Sequence, residues 1–415
     1  MRIVFASLGS LGDLHPMLAL ARTAESRGHK TVIAASKGFG DYVRSLGFEF
    51  RRIRPDLDPT DANADRLAHS TKGPERLLRE EIFPSTRATC ADLVEAGRKS
   101  DLLVVGELVY AAPMAADRLG IPWANVAPSP SSFLSAIDPC VMAPLRFFHH
   151  LRHLGPIPHR LLLRFADRLT SGWARPYFEF RRELGLPRGD NPVFAGKHSP
   201  FLTLALFPGF FAPAQPDWPP RVAQTGFPFF NPPESAGAAE LDAFLRNGSP
   251  PVVFTLGSSM IHFAGDFYEQ AARAALQIGR RAILLLGKNP APSASSPDLH
   301  CISYARLDDV FALAAAAVHH GGIGSCSMAL RHGIPSLVIP FGYDQPDNGE
   351  RLRRLGVARI LEKPSVSTAL LAKNLASLIA DESMAKRAAA LSARIDPAGT
   401  LERSVDALEA LRARL

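Results

Sequence analysis

Short, nearly continuous apolar runs alternate with stretches in which apolar positions recur every three or four residues, first over residues 2–126 and again over 252–355. Runs of the first kind fit strands buried on both faces of a parallel sheet, and stretches of the second kind fit the helices that cover it. The first region predicts strands at 2–7, 30–35, 102–105 and 123–126, with helices at 16–27 and 111–119. The second predicts strands at 252–255, 282–286, 317–319 and 336–340, with helices at 267–277, 307–314, 327–331 and 347–355. Each region reads as a doubly wound α/β domain.

Between residues 125 and 231 the alternation weakens and Pro, Phe and Arg accumulate, as in RFFHHLRHLGPIPHRLLLRFADRL, so this part reads as insertion helices and loops. The run NPPESAGAA, residues 231–239, has the composition of a linker. The expected organisation is an N-terminal Rossmann-like domain over 1–230, the linker, and a second Rossmann-like domain over 240–395. A helix over 396–415 is expected to pack back on the first domain. Two such domains with a cleft between them suit a nucleotide-linked ligand.

With 47% apolar and 21% charged residues in a chain of 415, the composition is globular and excludes a disordered or collagenous chain. A formal charge of +7 suits an anionic ligand or an anionic membrane surface, but no basic cluster with interleaved aromatics points to nucleic acid. Four scattered cysteines, without any CxxC spacing, indicate neither a zinc site nor a disulfide framework and suit a reducing cytoplasm. The start, MRIVFASLGSLGD, reads as a first strand and not a signal peptide, and no apolar stretch reaches the length of a membrane span.

The strongest chemical signal is VHHGGIGSCSMALRHGIPSLVIPFGYDQPDNGERLRRLGVA, residues 318–358. A strand ending in His319 and His320, followed by Gly321, Gly322 and Gly324 and a helix opening at Ser325, makes a helix N-terminus whose free amides can hold a phosphate. Thr255-Leu256-Gly257-Ser258-Ser259, at another strand end, adds hydroxyls and amides, with Ser258 as a donor to the same anion. Beyond the next strand, Asp344 and Gln345 suit sugar hydroxyls, as an acceptor and a mixed donor and acceptor. A second constellation, Ser7-Leu8-Gly9-Ser10-Leu11-Gly12-Asp13-Leu14-His15-Pro16, follows the first strand, with Pro16 as the expected helix start. Asp13 there is a candidate general base or a helix N-cap, and His15 is the rival base because imidazole titrates near neutrality.

The HxGGxGS run with the following Asp-Gln pair resembles the nucleotide-sugar-dependent glycosyltransferases of the GT-B fold, the family of plant, macrolide, glycopeptide and sterol glycosyltransferases. The stretches VVGELVY, APSPSSFLSA, LFPGFFAPAQPDWPPRVAQTGFPFF and GDFY are similar to its rhamnosyltransferase branch, so the likeness covers nearly the whole chain. The resemblance implies a GT-B fold of two Rossmann-like domains and a diphosphate held by His320, Gly322, Gly324 and Ser325. It also implies sugar hydroxyls held by Asp344 and Gln345. In the rhamnosyltransferase branch a proline follows the first histidine where this chain has His320, so His319 is a second candidate for the phosphate. The GSxGD pattern places Asp13 where many members carry a histidine base.

The expected activity is an inverting transfer of a hexose or deoxyhexose from a UDP- or dTDP-sugar to a hydroxyl of an apolar acceptor, such as a lipid, phenolic, sterol or polyketide. No metal or other cofactor is expected, because histidine, serine and helix-end amides can neutralise the leaving diphosphate. Glu107, past a strand end, and Phe147 and His149, in the aromatic and basic insertion, are candidate acceptor-site residues. His149, His150 and His153 lack a completing carboxylate or cysteine, so a wall of the acceptor site or a peripheral membrane patch is the expectation rather than a metal. A nucleotide-sugar epimerase on the same fold and a non-catalytic nucleotide-sugar-binding subunit are the alternative readings.

Overall fold

The structure is a computed structural model that describes residues 1–57, 72–142, 149, 152–233 and 238–414. It forms two compact units, Met1–Phe230 with Asp396–Leu415, and Asn231–Ile395. Residues 234–237 of the expected linker lie outside the described residues.

The first unit is built on seven strands: β1 (Arg2–Ala6), β2 (Lys30–Ala35), β3 (Glu49–Arg52), β4 (Leu102–Val105), β5 (Trp123–Ala127), β6 (Thr203–Ala205) and β7 (Val222–Gln224). Their order is β3-β2-β1-β4-β5-β6-β7, and every pairing is parallel. Successive side chains of a strand point to opposite faces. Val4, Ala6, Leu103 and Val105 therefore enter one core cluster, while Ile3, Phe5, Leu102 and Val104 enter the other. Both faces are covered, which is why β1 and β4 have no polar interior position.

One face carries helix α1 (Leu11–Ser26), whose Leu14, Met17, Leu18 and Ala21 meet Val405, Leu408 and Leu411 of the C-terminal helix Pro397–Ala413. Charge reinforces this contact, since Arg27 Nη1 lies 2.7 Å from Asp406 and His29 Nε2 lies 2.7 Å from Glu409. Gly226 adopts a φ of +115°, and a Cβ there would fall 2.4 Å from Thr400 Oγ1, so glycine lets the chain pass close to the C-terminal helix. The opposite face carries α2 (Ala112–Leu119). The insertion contains α3 (Pro156–Ser171) and α4 (Arg175–Glu183).

The second unit has six strands: β8 (Val252–Thr255), β9 (Ala282–Leu285), β10 (Leu299–Ile302), β11 (Ala316–His319), β12 (Ser336–Val338) and β13 (Ala358–Ile360). They run parallel in the order β10-β9-β8-β11-β12-β13. Val252 and Phe254 face one core with Ala282 and Leu284, and Val253 faces the other with Ile283 and Leu285. The helices that bear on function or packing are α5 (Phe267–Gln277), α6 (Ile323–Arg331), α7 (Gln345–Arg354) and α8 (Thr368–Ile379).

In each sheet the strand order reverses at one place, between β1 and β4 in the first unit and between β8 and β11 in the second. Loops leaving adjacent strands in opposite directions leave a crevice there, the usual ligand position in open parallel sheets.

Several boundaries differ from the sequence expectation. Helix α1 begins at Leu11, not Pro16, because Ser10 and Asp13 close a capping box that nucleates the helix earlier and places Pro16 within it. Helix α6 begins at Ile323, not 327, with Gly322 as N-cap, and α7 begins at Gln345, not 347. The helix expected at 307–314 stops at Phe311. The insertion also returns two three-residue strands to the sheet, β6 and β7, too short to register as a pattern.

Candidate functional site

The crevice of the second unit is formed by the ends of β8 and β11. Thr255 pairs with His319 across the ladder, so the loops that follow run side by side. Gly257 (φ +63°) and Gly322 flank the His320 ring: a Cβ on Gly257 would lie 2.5 Å from His320 Cε1, and one on Gly322 would lie 2.3 Å from Nε2. Any side chain at either position would displace the imidazole. His320 is 5% exposed, and burial lowers its pKa to about 4, so the ring is neutral. Its Nδ1 is buried with no hydrogen-bond partner. An orphaned polar atom of this kind is uncommon in a folded interior and suits a ligand atom as its partner.

His319 sits differently. Its Nδ1 accepts from Gly321 N–H at 3.1 Å, its Nε2 is buried without a partner, and burial, then the neighbouring His320, lowers its pKa to about 3. Helix α6 follows, nine residues long, with Gly324 and Ser325 in its first turn. Its Gly322 N-cap has no side chain to cap the leading amides, so these remain available to an acceptor from outside. Ser258 follows Gly257 in the short helix Gly257–Met260 at the end of β8.

The β12 loop is tied to the same place. Asn348 Nδ2 donates to Gly321 O at 3.0 Å and to Asp344 Oδ2 at 2.7 Å, fixing the Asp344 carboxylate beside the glycine turn. Gln345 Oε1 accepts from the amides of Phe341 (2.8 Å) and Gly342 (3.2 Å), so of the side chain expected to act as both donor and acceptor the oxygen holds the loop and the amide NH2 is left for a ligand. Tyr343 is left-handed at φ +58°, a conformation that costs a tyrosine free energy and that the loop maintains. His319, His320, Gly322, Gly324, Ser325, Asp344 and Gln345 thus gather at one edge of one sheet. Asn348, which joins their loops, was missed by sequence reasoning; its place one turn after Asp344 was the available signal.

The crevice of the first unit lies after β1 and β4. Asp13 is half-buried in the first turn of α1, where Oδ2 accepts from Ser10 N–H at 2.8 Å and Ser10 Oγ at 3.1 Å. It is the third-position partner in a capping box and not the N-cap, which is Ser10. The Ser-x-x-Asp spacing carried that signal in the sequence. Gly9, at φ +125°, leaves the carboxylate room, since a Cβ there would lie 2.4 Å from Asp13 Oδ2. Desolvation raises the Asp13 pKa to about 6 against the hydrogen bonds from Ser10, and the charge of Glu107 raises it further.

Glu107 is tied down on both carboxylate oxygens. Its Oε1 accepts from Lys197 Nζ at 2.6 Å and its Oε2 from Ser132 Oγ at 2.9 Å. Burial pushes its pKa up, but the Lys197 ammonium and Ser132 hydroxyl outweigh burial and hold it below the ordinary carboxylate value. Glu107, Lys197, Ser132, Asn125 and His198 line a small pocket. His198 stacks on Phe133, with centroids 5.6 Å apart, and Phe133 stacks on Trp218 at 4.2 Å. Lys197, His198, Phe133 and Trp218 were not singled out from the sequence, although Phe133 and Trp218 lie in the stretches APSPSSFLSA and LFPGFFAPAQPDWPPRVAQTGFPFF.

The other candidates lie apart from this pair. His15 Nε2 shares a hydrogen bond with Tyr42 OH at 3.0 Å, its ring packs on Phe230, and burial lowers its pKa to about 4. A neutral imidazole so shifted is a much weaker base at pH 7 than a carboxylate near 6. His149 is buried, with Nδ1 3.3 Å from Pro139 O and Nε2 2.9 Å from Arg152, and it lines a separate pocket with His159, Leu162 and Leu163. Phe147 and His150 lie outside the described residues. Among the described residues no group of three His, Cys, Asp or Glu side chains could hold a metal ion.

Two Rossmann-like units of parallel strands, one with a glycine-lined helix terminus at its reversal point, define the architecture of GT-B glycosyltransferases. The family model of the erythromycin biosynthesis protein CIII-like C-terminal domain matches residues 283–408. The O-mycaminosyltylonolide 6-deoxyallosyltransferase of Streptomyces fradiae is 31% identical over 98% of this chain and 95% of its own length. Among solved structures, the glycosyltransferase of kitacinnamycin superposes with a TM-score of 0.71 over 99% of this chain and 98% of its own, at 22% identity. The glycosyltransferase VinC in complex with dTDP superposes with a TM-score of 0.67 over 100% of each chain, at 21% identity. The chain belongs to this family of nucleotide-sugar-dependent GT-B glycosyltransferases and is a glycosyltransferase.

Proposed function

We propose that the protein transfers a hexose or deoxyhexose from a dTDP- or UDP-sugar to a hydroxyl of an apolar acceptor, with inversion at the anomeric carbon. The observation that carries the reading is the setting of Asp13, a carboxylate held by Ser10 in the first turn of a helix at a sheet reversal point, with a pKa near 6. At neutral pH such a group is ionised yet basic enough to take a proton from an acceptor hydroxyl as the new bond forms. A single displacement needs that base and a site for the departing diphosphate, and no covalent sugar intermediate.

The second unit supplies the diphosphate site in this reading. Leading amides of α6, with Ser325 and Ser258, hold the phosphate oxygens, and His320 supplies an N–H from a ring for which glycines 257 and 322 leave room. His319 is the alternative imidazole. Asp344 and the amide NH2 of Gln345 contact sugar hydroxyls. These neutral and partial charges take up the developing negative charge, so the reaction as proposed runs without a metal. The dTDP bound by VinC supports dTDP over UDP as the first donor to test. The stacked Trp218, Phe133 and His198 beside Glu107 support an aromatic or otherwise apolar acceptor.

The test is nucleotide release from dTDP-rhamnose, dTDP-glucose, UDP-glucose and UDP-N-acetylglucosamine, each with and without pooled macrolide, phenolic and hydroxy-fatty-acid acceptors. Acceptor-dependent release with a product heavier by one sugar is expected. Conversion of a donor without acceptor would identify an epimerase instead, and tight nucleotide binding without release would identify a binding subunit.

A further inference from the structure

Nine large apolar side chains stand exposed among the described residues, and five of them, Leu154, Ile157, Leu161, Phe165 and Leu169, fall on α3 and the turn before it. These five are 60 to 69% exposed, against 38 to 46% for the other four. Positions 157, 161, 165 and 169 are four apart and so form one seam along the 16-residue helix. The helix does not lack an inner face, since His159 and Thr170 are buried. The apolar seam is a second, outward face.

Beside that seam runs another. Arg160, Arg164 and Arg168 share the same spacing and are exposed, and within the described residues none of them is paired with a carboxylate. Over residues 152–171 four arginines stand against one aspartate, Asp167. Large apolar groups alternating with unpaired guanidiniums on one outer face are what a helix lying in an anionic lipid interface presents: apolar side chains enter the acyl boundary while guanidiniums bind phosphate oxygens at the headgroups. No helix among the described residues is long and apolar enough to cross a membrane, so the geometry is one of lying on the surface. A second copy of the chain fits poorly, because an antiparallel pairing of two such faces sets one arginine row against the other.

We propose that the outer face of α3 docks the protein on anionic lipid, independently of the sugar donor and acceptor. The test is flotation of the full chain with vesicles of phosphatidylcholine alone and of phosphatidylcholine mixed with phosphatidylglycerol, at low and high salt, with gel filtration and thermal unfolding of each variant. Binding is expected only with phosphatidylglycerol present and is expected to weaken in high salt. Leu161→Ser with Phe165→Ser should lower partitioning about tenfold or more. Arg160→Glu with Arg164→Glu should lower it about tenfold or more at low salt. Leu370→Ser, an exposed apolar change elsewhere, should leave it unchanged. All these positions are on the surface, so unfolding temperatures should stay close to wild type. Absence of flotation with anionic vesicles at low salt overturns the proposal, as does flotation that both double variants leave intact. A dimer dissolved by Leu161→Ser with Phe165→Ser, without vesicle binding, assigns the face to a second copy and also overturns it.

Discussion

Asp13→Asn separates the two consequences of burying a carboxylate at the head of α1. The wild-type group titrates near pH 6 in the fold against 3.8 as a free side chain, so the native state holds its proton more tightly than the unfolded chain does. The sign follows: for a raised acid, stability is lost as pH climbs from the unfolded value through the folded one. Raising the value from 3.8 to about 6 corresponds to at most about 3 kcal/mol once both states are ionised, with about half of that already incurred at pH 5. Asparagine keeps an oxygen for the Ser10 amide but loses the favourable charge at the helix start, worth about 0.3 to 1 kcal/mol. The variant should therefore gain stability relative to wild type as pH rises, with the gap widening by about 1 kcal/mol between pH 5 and pH 8. All three tryptophans, Trp123, Trp173 and Trp218, lie in the first unit, so tryptophan fluorescence during urea unfolding reports the unit that holds Asp13. In the same variant turnover should fall by about 100-fold or more while dTDP affinity stays within a factor of about two. A stability gap that does not change with pH, or full turnover at neutral pH, would refute the reasoning.

Glu107→Gln removes the charge that raises Asp13, so the acid limb of the kcat/KM profile, expected near pH 6 in wild type, should move to lower pH; an unmoved or raised limb contradicts the coupling. Lys197→Met leaves Glu107 without its cation. Because Glu107 has a lowered pKa, the lost stability should be about 2 kcal/mol or more at pH 7 and should shrink as pH falls through the range where Glu107 protonates, as read by urea unfolding. Gly322→Ala drives a methyl into the His320 ring and should weaken dTDP binding about tenfold or more by calorimetry, with about 1 to 3 kcal/mol of lost stability; unchanged affinity would remove His320 from the diphosphate site. Gly226→Ala should loosen the C-terminal helix, seen as faster hydrogen exchange over Pro397–Ala413, because its Cβ meets Thr400.

The sheets were legible because both faces of each are covered: β1, β4, β8 and β9 are runs with no polar interior position. Helix starts were less legible. Ser10 and Asp13 announce α1 through side chains rather than apolar spacing, and an expectation built on Pro16 passed over them. The glycine-rich turn after β11 was readable as a strand-to-helix turn, and Gly322 proves to be the N-cap of α6. Gln345 looked like a sugar contact because its type fits one, but whether its oxygen is free depends on two loop amides that no spacing encodes. The Glu107 to Lys197 pair and the Phe133, Trp218 and His198 stack join residues separated by up to 90 positions, and only the folded sheet brings them together.

The configuration of the new glycosidic bond tests the central claim most directly. A donor and acceptor that give product are incubated with wild-type enzyme, and the anomeric coupling in the product is read by NMR against that of the sugar nucleotide. Single displacement with Asp13 as base predicts the opposite anomeric configuration to the donor, and product formation slower by about 100-fold or more from Asp13→Asn. Retention of the donor configuration would contradict it and require a different role for Asp13.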